Sequence, residues 1–321
     1  MEHILDRRLC RIVQPQAVHG AVTLSGALAP GTFRLAGNVS SQFITGLLFI
    51  LPLLSADSEI LIDGPLESAP YVAMTIEMLR HFGVTAQLEI LDASSAQAPS
   101  DAGLGARLAV AGGQAYRAAA VDVEGDWSQA AFWAVAGALG HDVTLSGLRM
   151  DSLQGDREVV GILGRMGAEV RVEPDGLRVA APRGGTLAAV DMDVAQCPDL
   201  VPALAIAAAH AAGTSRILNA ARLRIKESDR LAAMRTQLAQ LGADITERPD
   251  GLDVPGVPQG LSGGAVDSCG DHRIVMAMAV AATRATGPVR IEGMEAVRKS
   301  YPGFWDDFRL LGGFAHEQHL G

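Results

Sequence analysis

Apolar and polar positions recur along this chain in three pieces. One is a short alternating strand that ends in a turn, over 59–64 (EILIDG), 142–147 (DVTLSG), 215–220 (SRILNA) and 288–293 (PVRIEG). Alternation puts every second side chain on one face, which marks a half-buried strand. Another is a helix tail running through glycine into a strand, at 81–88, 165–172, 240–247 and 309–315. Glycine just past the last turn is the usual helix stop. The third is a polar loop opening an almost wholly apolar, Ala-rich helix, at 39–50, 126–139, 197–209 and 270–282.

The pieces keep one order, and the strand ends at 64, 147, 220 and 293 lie 83, 73 and 73 residues apart. Each unit therefore predicts loop A, a buried helix, a strand, loop B, an amphipathic helix, Gly and two strands. A helix apolar all round is buried, whereas 75–82 and 231–241 keep a polar face and belong outside. Four such βαβαββ units predict an α/β protein. The first has only a strand-like stretch, 20–37, before its loop A. Solenoid repeats run about 20–50 residues, so units of this size read as layered domains instead. The pattern changes near 121–126, which predicts two domains, 1–122 and 123–321.

Composition narrows the function. The 321 residues are 49% hydrophobic and 19% charged, which excludes a disordered chain and a coiled coil. A net charge of −10 argues against nucleic acid as a partner, so an anionic ligand needs a local cation cluster. Cys10, Cys197 and Cys269 have neither zinc-ligand spacing nor a disulfide pattern, as in a reducing cytosol. The longest apolar run, 43–54, includes Pro52 and falls short of the roughly 20 residues of a membrane span. Residues 1–11 have no apolar signal region, so a cytoplasmic location is expected.

Equivalent loops can be compared. Loop A holds Ser40-Ser41-Gln42, Asp126-Trp127-Ser128, Asp199 and Asp271-His272-Arg273. Loop B holds Ser68, Gln154-Gly155-Asp156, Lys226 to Arg230, and Lys299-Ser300. Helix N-termini favour anions, so Lys226, Arg230, Arg273 and Lys299 there call for an anionic ligand. Plainer readings exist for each. Ser40, Ser41, Ser68 and Asp199 read as helix caps, and Lys226 to Arg230 as a solvated face. His272 reads as a core histidine. Arg222 and Arg224 read as ordinary surface arginines. Hydroxyls, an acid and several bases at corresponding positions favour a multiply anionic small molecule.

The segments GNVSSQF (37–43), GPLESAPY (64–71), QGDREV (154–159), CPDLVPALA (197–205), RIKESDRL (224–231), GDHRIVMAMAV (270–280) and RKSYPGFW (298–305) occur in that order. Together they resemble the 5-enolpyruvylshikimate-3-phosphate synthases, the enolpyruvyl transferases of the shikimate pathway. The resemblance spans about 37–310 and implies two inside-out α/β barrel domains of three βαβαββ units each, closing on their substrates. With four units here, it implies an incomplete first domain. The family's opening Lys-Ser pair with its Arg is not found, nor a glycine-containing loop with an Asn. Arg7 and Arg8 are the available counterparts of a further family arginine. Arg222 stands where several members carry Asn. The helix over 43–54 is then expected to expose Phe43, Leu47, Leu48 and Ile50.

The resemblance also implies roles. Ser40, Ser41, Ser68 and Lys226 hold the phosphate of shikimate 3-phosphate, Tyr71 lies beside its ring, and Gln42 lies between the substrates. Arg230 and Arg273 grip the carboxylate of phosphoenolpyruvate and Lys299 faces its phosphate. Asp199 takes the proton of the 5-hydroxyl, and Glu227 handles the proton at the methylene carbon. The implied product is the enolpyruvyl ether, on the route to chorismate and the aromatic amino acids, with phosphate released. No metal or organic cofactor is implied, and a complete chain is expected to be a monomer. Two rivals are a non-catalytic binder of shikimate 3-phosphate and the sister transferase acting on UDP-N-acetylglucosamine. The cysteines are badly placed for the sister enzyme.

Overall fold

The structure is a computed structural model that describes residues 11–13, 23–91, 103–174, 176–257 and 259–317. Arg7, Arg8 and Cys10 lie outside the described residues. The chain divides into two compact units, Met1–Val121 and Asp122–Gly321.

In the first unit β1 (Arg11–Val13) pairs antiparallel with β2 (Thr23–Ser25). A complete βαβαββ repeat follows: β3 (Thr32–Ala36), α1 (Ser41–Ile50), β4 (Ser58–Asp63), α2 (Ala69–His81), β5 (Ala86–Ile90) and β6 (Leu104–Val110). The sheet order is β3-β4-β6-β5, with β3 and β4 parallel. Alternation in β4 buries Ile60 and Ile62 against Ile44 and Leu48 of α1 and Val72, Ile76 and Leu79 of α2. Each fully buried Leu, Ile or Val of this kind is worth about 1.5–3 kcal/mol.

The second unit holds three repeats. The first contains α3 (Trp127–Ala136), β7 (Val143–Leu145), α4 (Val159–Arg165), β8 (Glu169–Glu173) and β9 (Gly176–Ala180). Next come β10 (Leu187–Ala188), β11 (Asp191–Asp193), α5 (Val201–Ala209), β12 (Ala211–Ala212), β13 (Thr214–Leu218), α6 (Arg230–Gln240), β14 (Thr246–Arg248) and β15 (Gly251–Pro255). The last contains β16 (Gly264–Asp267), α7 (His272–Ala282), β17 (Val289–Glu292) and α8 (Phe304–Leu310). The sheets run β7-β9-β8, β11-β13-β15-β14 and β16-β17, beside the short pair β10-β12. Helices α3, α5 and α7 pack on one another, so the helices rather than a sheet form the centre. Every residue of α5 is buried, as its wholly apolar composition requires.

All four glycine stops form the same cap. Gly83, Gly167, Gly242 and Gly312 have φ of 79°, 94°, 89° and 91°, a conformation costly for residues with a Cβ. Each donates its N–H three residues back, and the next residue donates five back: Val84 to Leu79 (2.9 Å), Ala168 to Leu163 (3.0 Å), Ala243 to Leu238 (3.0 Å) and Gly313 to Phe308 (2.9 Å). This is the Schellman arrangement.

Three expectations are corrected. The strand expected after Gly312 is absent among the described residues, where Phe314 is 91% exposed and no strand face is buried. Helix α1 is not buried all round, since only Ile44 and Leu48 are fully enclosed. Of the four residues expected on its open side, Phe43 and Ile50 are exposed, Leu47 is half-buried and Leu48 is buried. Phe49 and Leu53 take part instead. No helix among the described residues is long and apolar enough to cross a membrane.

Candidate active site

Parallel pairing gathers the loops. In the first unit α1 follows β3 and α2 follows β4, and these strands are parallel, so both helices start at one sheet edge. Ser40 caps α1, its hydroxyl accepting the Gln42 N–H at 3.3 Å, while Ser41 is the first helical residue. Ser68 precedes α2 in the left-handed conformation, φ 54°, and is buried. Tyr71 lies in the first turn of α2, half-buried. The two loops touch, the Glu67 N–H donating to the Gly37 carbonyl at 3.1 Å. A Cβ at Gly37 would meet the Pro65 carbonyl oxygen at 2.3 Å, so this approach requires glycine.

The second unit repeats the device. Strands β11 and β13 are parallel, as are β16 and β17. The Asn219 amide donates to Asp193 at 2.9 Å, and the Arg222 guanidinium to the Ala195 carbonyl at 3.1 Å, joining the loops of the middle repeat. In the first repeat of this unit the Ser128 hydroxyl bonds Asp156, and Gln154 accepts the Trp127 N–H at 2.9 Å. The Gln129 amide donates to the Ser300 carbonyl at 2.8 Å, tying that repeat to the last.

The middle and last repeats are joined by charge. Asp199, in a 3-10 turn (Pro198–Leu200) before α5, lies 2.8 Å from Arg230, 3.3 Å from Arg273 and 3.4 Å from Lys226. Glu227 bridges Arg230 at 2.8 Å and Lys299 at 2.7 Å. Asp271 accepts the Arg230 Nε–H at 2.8 Å and the Ser228 hydroxyl at 3.0 Å, and caps α7 through the Arg273 N–H at 2.9 Å. Arg230 is 1% exposed. Its fork therefore meets three carboxylates, a geometry suited to planar anions.

Burial would raise the Asp199 carboxyl, but Arg273, Lys226 and Arg230 hold it well below the usual carboxylate range. Burial opposes the shift at Glu227 too, where the Lys299 hydrogen bond, its own backbone N–H and the Arg230 charge hold the carboxyl at about 2. Burial and the Arg273 charge lower His272, keeping the imidazole neutral, and its Nδ1 lies 3.6 Å from Asp271. Burial pushes the Cys197 thiol up to about 12. Among the described residues, no group of three or more His, Cys, Asp or Glu could hold a metal ion.

Asp199, Lys226, Glu227, Arg230, Arg273 and Lys299 thus converge, although Asp199 and Lys299 are 100 positions apart in sequence. Ser40, Ser41, Gln42, Ser68 and Tyr71 gather separately, at the sheet edge of the first unit. The solvated-face reading of Lys226 to Arg230 fails, because Arg230 is buried and Asp229 caps α6 by accepting the Ala232 N–H at 3.1 Å. Arg222 is buried, and Arg224 pairs with Glu247 at 2.7 Å and Asp229 at 2.9 Å, so neither is an ordinary surface arginine. Lys299 does not start a helix. It ends a 3-10 turn (Met294–Lys299), and α8 begins only after Pro302 and Gly303. The cations at these loops already have carboxylate partners within the chain, which answers part of the need for an external anion. Sequence reasoning did not single out Asp271 as a site residue; its place at an N-cap just before His-Arg was the available signal.

Known proteins resemble this chain over most of its length. The family profile for EPSP synthase (3-phosphoshikimate 1-carboxyvinyltransferase) matches residues 13–308. A 3-phosphoshikimate 1-carboxyvinyltransferase of Clostridium kluyveri is 48% identical over 300 residues, covering 94% of this chain and 66% of the relative. That of Clostridium acetobutylicum is 43% identical, covering 99% of this chain and 70% of the relative. An EPSP synthase structure from Acinetobacter baumannii superposes with a TM-score of 0.71 at 28% identity, over 90% of this chain and 64% of that one. The enolpyruvyl transferase NikO of Streptomyces tendae shares the fold, with a TM-score of 0.66 at 19% identity over 92% of this chain and 67% of that one. The chain spans about two thirds of the length of the relatives it matches. It belongs to the EPSP synthase family.

Proposed function

We propose that this chain serves in transferring the enolpyruvyl group of phosphoenolpyruvate to the 5-hydroxyl of shikimate 3-phosphate, with release of phosphate. The observation that carries this reading is the ion-pair network in which Asp199 and Glu227 share Lys226, Arg230, Arg273 and Lys299. Substrate carboxylate and phosphate groups are the same kind of partner as the carboxylates already there, so they can exchange for them.

In this reading Arg230 and Arg273 take the phosphoenolpyruvate carboxylate, and Lys299 takes its phosphate. Ser40, Ser41 and Ser68 of the first unit, with Lys226, serve the 3-phosphate of the acceptor. Tyr71 lies along the acceptor ring, and Gln42 hydrogen-bonds between the two substrates. Asp199, relieved of part of its positive surroundings, becomes basic enough to take the hydroxyl proton as oxygen bonds to the enol carbon. Glu227, relieved of Lys299, rises from about 2 and can carry the proton that goes to the methylene. The tetrahedral adduct then returns a methyl proton to the Glu227 carboxylate as the carbon–oxygen bond to phosphate breaks, and the lysine and arginines offset the charge of the leaving phosphate.

The test is phosphate release from phosphoenolpyruvate by the chain co-expressed with the part of the Clostridium kluyveri relative that lies outside the match. Release should require shikimate 3-phosphate, and Asp199→Asn should slow it roughly 10²–10⁴-fold while both ligands still bind. A formed complex that binds neither ligand, or turnover untouched by Asp199→Asn, would overturn the reading.

A further inference from the structure

Lys299 stands at the end of a 3-10 turn rather than in an α-helix, and its side chain is 57% exposed. The lysine stem is flexible, so the reach of the ammonium depends on where the backbone around it is held. Its partner Glu227, at 2.7 Å, is itself tied to the buried Arg230. The loop that carries Lys299 needs an anchor of its own.

One face of α3 holds the two residues that follow Lys299. The Gln129 amide donates to the Ser300 carbonyl at 2.8 Å, and the Trp133 indole N–H donates to the Tyr301 hydroxyl at 3.3 Å. Gln129 and Trp133 are four positions apart on α3, hence one turn apart on the same side. The Tyr301 hydroxyl in turn donates to Asp307 of α8 at 2.6 Å. Burial, together with that bond, pushes the phenol up to about 12, so the hydroxyl keeps its proton at neutral pH. The Tyr301 ring stands edge-on to Trp133 and Phe304, with centroids 6.4 and 5.6 Å away. Helix α3 carries no charged residue, so what it offers this loop is placement.

Stability alone does not account for these contacts. Phe304 is fully buried and stacks on Trp133, which already fastens α8 to α3. Apolar burial has no direction, whereas hydrogen bonds fix distance and angle. Gln129 is also costly, because its Oε1 is buried and accepts no hydrogen bond. We infer that Gln129 and Tyr301 are positioning residues that hold Lys299 in register with Glu227 and with the phosphate of phosphoenolpyruvate. The part concerning phosphoenolpyruvate rests on the reaction proposed above.

The test places Tyr301→Phe, which keeps the ring, and Gln129→Ala in the 321-residue chain, singly and together. Carboxyl-carbon NMR of Glu227 is the first readout, because the Lys299 hydrogen bond leads the contacts that hold that carboxyl down. In the double variant its midpoint should rise from about 2 toward 4.5, by roughly one pH unit, since a neighbouring cation lowers a carboxyl by about 1–3. Asp307→Asn keeps an acceptor for the phenol and should leave Glu227 at the parent value. A role in stability alone would lower the urea midpoint without moving Glu227 in the folded protein. The second readout is phosphate release by the chain co-expressed with the unmatched part of the Clostridium kluyveri relative. There kcat/KM for phosphoenolpyruvate should fall roughly 10–10²-fold, with KM for shikimate 3-phosphate unchanged. Should the double variant misfold by circular dichroism, Tyr301→Phe alone provides both readouts. Glu227 unmoved in the folded variants, or moved with kcat/KM for phosphoenolpyruvate untouched, would overturn the proposal. A parent complex without turnover would count only against the proposed reaction, because the Glu227 titration needs no substrate.

Discussion

Arg230 donates its Nε–H to Asp271 across 2.8 Å, and both side chains are almost wholly buried, 41 positions apart in sequence. This pair links the loop before α6 to the loop before α7. Because Asp271 also caps α7 and accepts the Ser228 hydroxyl, it sets the position of Arg230 and of the helix that carries Arg273.

Asp271→Asn should therefore damage folding as well as anion binding. Breaking a buried ion pair from one side costs about 3–5 kcal/mol, because the remaining charge stays buried. Asp199 and Glu227 keep contact with Arg230, so the lower end, about 3 kcal/mol, is expected. Urea unfolding monitored by tryptophan fluorescence provides the measurement, with Trp127 and Trp133 buried in the same unit. A change near zero would mean that Asp271 does not anchor Arg230.

Glu227→Gln should lower stability in a pH-dependent way. The folded pKa is about 2 against an ordinary 4.5. A depressed carboxylate pKa gives stability that is fully present above the unfolded value and is lost as pH falls through the folded one. The gap between parent and variant should thus be full at neutral pH, shrink below 4.5 and close near 2. Urea midpoints measured across that range test it, and a gap independent of pH would point to packing rather than to the Lys299 and Arg230 charges.

Ser40 and Ser41 should separate by role. Ser40 caps α1, so Ser40→Ala should cost about 1 kcal/mol of first-unit stability. Ser41 is the first helical residue rather than the cap, so Ser41→Ala should leave stability nearly unchanged while weakening shikimate 3-phosphate binding. Thermal unfolding with calorimetric titration distinguishes the two. Equal stability losses without a binding change would remove the ligand role of Ser41.

The repeat was legible in the sequence because its markers are local. Glycines at 83, 167, 242 and 312 all end helices for the same conformational reason, and each alternating strand lies where its period placed it. The gathering of Asp199, Lys226, Arg230, Arg273 and Lys299 followed from equivalence of the loops. Pairing within that cluster was not legible. Whether Arg230 faces water, a ligand or Asp271 depends on a contact between residues 41 positions apart, which no periodicity encodes. The closing strand is the exception: the same glycine cap ends α8, but Phe314 beyond it stays exposed. The open side of α1 differed because Phe49 lies opposite Ile44 and Leu48, a matter of rotation that a largely apolar stretch conceals.

In the proposed reaction substrate anions take over the cations now held by Glu227 and Asp199. Carboxyl-carbon NMR of Glu227, titrated with and without saturating phosphoenolpyruvate, tests it most directly. The carboxyl should titrate near 2 in the chain alone and rise to 4.5 or above once the ligand draws Lys299 and Arg230 away. A Glu227 carboxyl that stays near 2 with phosphoenolpyruvate bound would contradict it.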